Sequence, residues 1–71
     1  MDSLDQSVFF SVGRWTDDGD QLVQTVANAA HRAVADAAFE AAKAVYPGER
    51  LTLRHGIRVI RERMPDGSER R

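Results

Sequence analysis

Seventy-one residues, 42% hydrophobic and 30% charged with a formal net charge of -1, are too apolar for a disordered chain and too polar for a membrane protein. No apolar run approaches the roughly 20 residues that cross a bilayer. The absence of cysteine excludes a disulfide framework, a thiolate nucleophile and a thiolate-bound zinc.

The near-neutral total hides an uneven distribution. Residues 1–20 set five aspartates against Arg14, a balance of -4; residues 49–71 set seven arginines against Glu49, Glu62, Asp66 and Glu69, a balance of +3. The opening Met1-Asp2-Ser3-Leu4-Asp5 is acidic where a secretory signal is basic and then apolar, so a cytoplasmic location is expected.

The first element is a strand. Ser7 to Trp15 carries the aromatic and β-branched residues that favour one. Asp18-Gly19 within the following polar stretch is a hairpin turn signal, and Leu22 to Val26 forms the returning strand. A rival reading has Asp20 cap one long helix beginning at Gln21; the Val and Thr content favours the strand. From Asn28 to Tyr46 the spacing predicts an amphipathic helix rich in alanine, with Asn28 as N-cap and Pro47-Gly48 as the stop. Advancing 100° per residue puts Ala30, His31, Val34, Ala38, Ala41, Ala42 and Val45 on one side, Phe39 and Tyr46 at its margin, and Arg32, Asp36, Glu40 and Lys43 opposite.

Beyond the helix, Leu51, Leu53, His55, Ile57 and Val59 alternate with Thr52, Arg54, Gly56, Arg58 and Ile60. The alternation predicts one uninterrupted strand reaching Arg63, with Gly56 as a bend. A two-residue turn at His55-Gly56 is the alternative, disfavoured because its register splits the apolar residues between both faces. Residues 64–71 are expected to be a polar tail after a single domain spanning residues 1–63.

Together these elements predict an α+β fold, ββαβ, with a three-stranded antiparallel sheet in the order 2-1-3 and one helix on one face. A βαβ fold with one long helix, or ββαββ, are the alternatives. Val8, Phe10, Val12, Leu22, Val26, Leu51, Leu53, Ile57 and Val59 are expected to meet the helix. Phe9, Trp15, Val23, Ile60, Arg54 and Arg58 are expected on the face that nothing covers.

That uncovered face points to binding. A chain of this length rarely encloses the roughly 300 Å³ that a small-molecule site needs, so an enzyme and a cofactor are not expected. Trp, Phe and Arg are favoured at protein interfaces. The last strand, running roughly 45 Å at about 3.3 Å per residue, would overhang the helix and offer an edge to a second copy. The partner-binding candidates are therefore Phe9, Trp15, Arg54, Arg58, Ile60, Arg61 and Arg63, serving a protein partner that is foreign or a second copy in a homodimer. Nucleic acid is the alternative partner, with Arg54, Arg58, Arg61, Arg63, Arg70 and Arg71 tracking phosphates and Phe9 or Trp15 stacking on a base. His31 and His55 have no further His or Cys to complete a metal site, and each is expected to be a half-buried polar residue.

The passage from Ala37-Ala38-Phe39-Glu40-Ala41-Ala42 through Tyr46-Pro47-Gly48 to Leu51-Thr52-Leu53-Arg54-His55-Gly56-Ile57-Arg58-Val59-Ile60 resembles short bacterial and phage-associated proteins that have no assigned activity. It covers about half the chain and implies a folded bacterial protein. The layout is also similar to that of small phage inhibitors of host defence, such as anti-CRISPR proteins. That likeness implies a non-catalytic protein acting through surface charge.

Overall fold

Two aspartate-rich turns and two glycine turns punctuate the chain into short strands around one helix. The computed structural model describes residues 9–70, in the order β1 (Phe10–Trp15), β2 (Leu22–Ala29), α1 (Arg32–Val45), β3 (Arg50–His55), β4 (Arg58–Arg63) and β5 (Glu69–Arg70). The fold is α+β, and its antiparallel sheet has five strands in the order β2-β1-β3-β4-β5, where three were expected in the order 2-1-3. Val8 and Arg71 lie outside the described residues.

The β1–β2 hairpin closes over Thr16–Gln21. Asp18 Oδ1 accepts from Thr16 Oγ1 at 2.7 Å and from the Asp20 amide at 2.9 Å, and Gly19 supplies the positive φ of 76°. β2 runs to Ala29, opposite Phe10, so Asn28 sits in the sheet beside Ser11 and does not cap the helix. The helix starts instead at Arg32 with His31 at its N-cap, and this cap makes no side-chain hydrogen bond. Extended backbone at residues 21–26 also removes the long-helix alternative.

α1 packs on β1, β2 and β3. Its buried residues are Ala35, Phe39 and Ala42, which join Val12, Leu51 and Leu53 in the core. The buried side is therefore turned by roughly 100°, one residue's rotation, from the side centred on Val34. Val34 and Val45 are 56% and 66% exposed. Phe39, at 0% exposure, decides this rotation, because it has the most apolar surface to remove from water. The turn also brings Asp36, Glu40 and Lys43 over the outer strands, away from the solvated position expected for them.

The predicted long strand is two strands. Gly56 and Ile57 form a two-residue loop with His55 opposite Arg58, and Gly56 carries a φ of 63° while Ile57 stays negative, as a type II′ turn requires. A bulge then shifts the register between Leu53 and Arg54, so that Arg54 faces Val59 while Leu53 faces Arg61. Ile60, the extra residue, packs against the core. Arg61 and Arg63 turn to the helix side beside it.

Residues 64–70 are not a tail. Met64–Ser68 is a tight turn, with the Met64 amide donating to the Ser68 carbonyl at 2.7 Å, and β5 pairs with β4. Of the four strand pairings, only β1–β3 joins segments distant in sequence. The sheet's other outer edge, β2, carries no charged residue.

Candidate functional site

Strand alternation sends Ser11, Gly13 and Trp15 of β1 away from the helix, together with Arg50, Thr52 and Arg54 of β3. The register aligns them in rows across the sheet: Asn28–Ser11–Arg54–Val59, then Thr25–Gly13–Thr52–Glu62, then Leu22–Trp15–Arg50. Gly13 is the low point. A Cβ there would stand 2.9 Å from Leu22 Cδ1 and 3.2 Å from Trp15 Nε1. Leu22 and Trp15 close in over it, and around them lies a groove of about 550 Å³, floored by Gly13, rimmed by Phe9, Leu22 and Ile57, and walled by Trp15 and Arg54. A second hollow of about 170 Å³ adjoins it, sharing Trp15, Thr52 and Arg54.

The wall is fixed from within. Trp15 Nε1 donates to Thr52 Oγ1 at 2.8 Å, and the Arg54 guanidinium lies 5.3 Å from the centre of the indole ring. Arg54 Nη2 donates to the Ile57 carbonyl at 3.4 Å, a long bond, and its buried Nε has no partner among the described residues. Glu62, in the smaller hollow, is held by Arg50 at 2.7 Å and 2.8 Å. Among the described residues, Arg54 is the single charge lining the larger groove.

The sequence-derived candidates divide. Phe9, Trp15 and Arg54 come together at the groove. Arg58 is exposed on the β3–β4 hairpin, outside both hollows. Ile60 is on the core side, correcting its expected place on the uncovered face. Arg61 and Arg63 are 8% and 7% exposed and are engaged within the chain, so neither is available as an exposed edge residue. Leu22, Ile57 and Val59 are corrected in the other direction: they were expected against the helix and lie on the open face. Val23 is 51% exposed and lines neither hollow. Sequence reading passed over Gly13 and Thr52; the strict alternation of Thr52 with Leu51 and Leu53 was the signal that placed it here.

A second charged cluster lies under the helix. Arg61 donates to Asp36 at 3.2 Å, to Glu40 at 2.6 Å and to Glu69 at 2.6 and 2.8 Å, with its guanidinium 4.5 Å from the Phe39 ring centre. Burial opposes its charge, but its bonds to Glu40, Glu69 and Asp36 prevail and raise its pKa above the ordinary value. The Lys43 ammonium, then Arg61, holds Glu69 below the usual carboxylate range, and Glu69, then Glu40, raises Lys43. Arg63 donates instead to the carbonyls of Tyr46 and Glu49 at 2.6–3.0 Å, tying β4 to the end of the helix. His31 is exposed at the helix start, while His55 stacks on Phe10 with ring centres 4.3 Å apart. Among the described residues, no three His, Asp or Glu side chains gather to hold a metal ion.

No protein-family model matches the chain, and no curated protein or solved structure matches it either. No helix among the described residues is long and apolar enough to cross a membrane.

Proposed function

We propose that this chain is a non-enzymatic protein-interaction module that docks a foreign protein on the open face of its sheet. The observation that carries this reading is the groove beside the stacked Trp15–Arg54 pair, rimmed by Phe9, Leu22 and Ile57 at 46%, 48% and 91% exposure. Contiguous exposed apolar surface around a fixed aromatic and an arginine has the composition of an interface centre. A second copy fits this surface less well. Face to face, it would set another Arg54 against the first, with no carboxylate among the described residues that line either groove. The argument for pairing through an overhanging last strand also falls away, since the chain turns at Gly56-Ile57 and β5 pairs with the end of β4 at Glu62 and Arg63.

The nucleic-acid alternative is weakened by the same geometry. A phosphate track needs a row of exposed cations, and Arg61 and Arg63 are buried in bonds within the chain.

Photo-crosslinking tests the reading. With benzoylphenylalanine at position 57, a protein from the source cells is captured, and Trp15→Ala abolishes the capture. The same probe at position 45 on the helix captures nothing specific. Capture at position 45 alone, or capture at 57 indifferent to Trp15→Ala, would overturn it.

A further inference from the structure

Resting on the open-face reading, we propose that the groove takes an extended acidic segment of the partner protein, one of whose carboxylates forks onto the Arg54 guanidinium. The comparison with the other arginines leads there. Arg14 meets Glu49 at 3.4 Å, Arg32 meets Asp36 at 3.0 Å, Arg50 meets Glu62 at 2.7 Å, and Arg61 meets three carboxylates. Arg63 is engaged through Nε and Nη2 by the backbone carbonyls of Tyr46 and Glu49. Arg54, half-buried, has no carboxylate partner among the described residues, and its one hydrogen bond, to the Ile57 carbonyl, is 3.4 Å long.

A half-buried guanidinium with no carboxylate partner among the described residues is poised for an anion, and a carboxylate matches its planar fork. Trp15 holds that plane in place, and Thr52 holds Trp15, so the site is ordered before anything binds. Glu62, which shares the smaller hollow with Arg54, is paired with Arg50 and does not compete. The occupant is a polypeptide and not a free small carboxylate, because the rim is so exposed. Only a chain crossing the groove would remove Phe9, Leu22 and Ile57 from water together. Ser11, Thr25 and Asn28, which also line the groove, offer polar groups to an extended backbone.

Titration of the full chain, followed by Trp15 fluorescence, tests this with acetyl-Val-Glu-Leu-Glu-Val-amide against the same peptide carrying Gln for Glu. The acidic peptide binds at least about tenfold more tightly than its isostere. Arg54→Gln removes that difference, Arg54→Lys recovers only part of it for want of the fork, and Arg58→Gln leaves it intact. Circular dichroism confirms that each variant is folded. Equal binding of the two peptides, or an acidic preference that survives Arg54→Gln, would overturn the carboxylate assignment while leaving crosslinking at position 57 untouched. N-acetylglutamate binding as tightly as the peptide would overturn the extended segment. Loss of the position 57 crosslink would instead remove the open-face reading itself.

Discussion

The indole N–H of Trp15 donates to Thr52 Oγ1 at 2.8 Å, across adjacent strands and on the face the helix leaves bare. This bond sets the wall of the groove, because a buried indole donor without a partner is costly and so the ring cannot freely turn. Thr52→Val keeps the shape and removes the acceptor. The expected result is a loss of about 1 kcal/mol of stability, together with a red-shifted and less anisotropic emission from the single tryptophan. Denaturant unfolding and fluorescence anisotropy read both. An unchanged emission would mean that packing alone orients the ring.

Arg61 is the polar hub of the buried side. Removing it leaves Glu69, whose side chain is 22% exposed, with Lys43 alone, and takes the guanidinium from over the Phe39 ring. Arg61→Gln is expected to destabilise by about 2–4 kcal/mol, toward the range seen when one member of a buried ion pair is deleted. Phe39→Ala, which empties the largest core side chain, is expected to reach about 3–5 kcal/mol. Thermal melts rank the two; a near-neutral Arg61→Gln would show that the cluster is solvated.

Acid tests the same cluster through Glu69. Its folded pKa lies below its unfolded value, so its contribution is complete above the unfolded carboxyl value of about 4.3 and drains away as pH falls through the lower folded value. The melting temperature should fall as pH drops below about 4. Glu69→Gln should melt lower at neutral pH and show a flatter acid limb, since position 69 has no carboxylate left to protonate and the remaining slope comes from groups such as Glu40, Asp18 and Asp66. Parallel acid limbs in the two proteins would rule Glu69 out as the titrating group.

Gly56 separates a hairpin from a continuous strand. Its φ of 63° is left-handed, where a β-branched residue is strained. Gly56→Val is expected to cost about 1–2 kcal/mol and to broaden the amide signals of His55 and Arg58, whereas in an unbroken strand valine would be neutral or stabilising. Urea unfolding with amide NMR distinguishes the two.

The α+β class, the first hairpin and the presence of a helix were legible because each follows from local pattern. Val, Thr and aromatic content marked the strands, Asp-Gly the first turn, and alanine spacing the helix. The second hairpin was hidden by its bulge. Period-two alternation reads straight through Gly56-Ile57 only if register is preserved, and the extra residue Ile60 breaks it, sending Ile60 and Arg61 to the same side. Arg61 and Arg63 read as partner-binding residues because their partners, Glu40, Glu69 and the carbonyls of Tyr46 and Glu49, come from other elements that only the fold brings to them. For the open face, alternation correctly supplied Phe9, Trp15 and Arg54. The groove itself needed the strand order, since Gly13 becomes a floor only once Leu22 and Thr52 flank it.

The β1–β3 pairing has a kinetic consequence. Every other ladder in the sheet is closed by a short turn and can zip from its own loop, whereas this one must wait until the segment holding the helix has folded back. Refolding speed should therefore answer to changes along Val12 and Leu53 far more than to changes in either outer hairpin. Prying that seam open would leave two ribbons tethered by a helix.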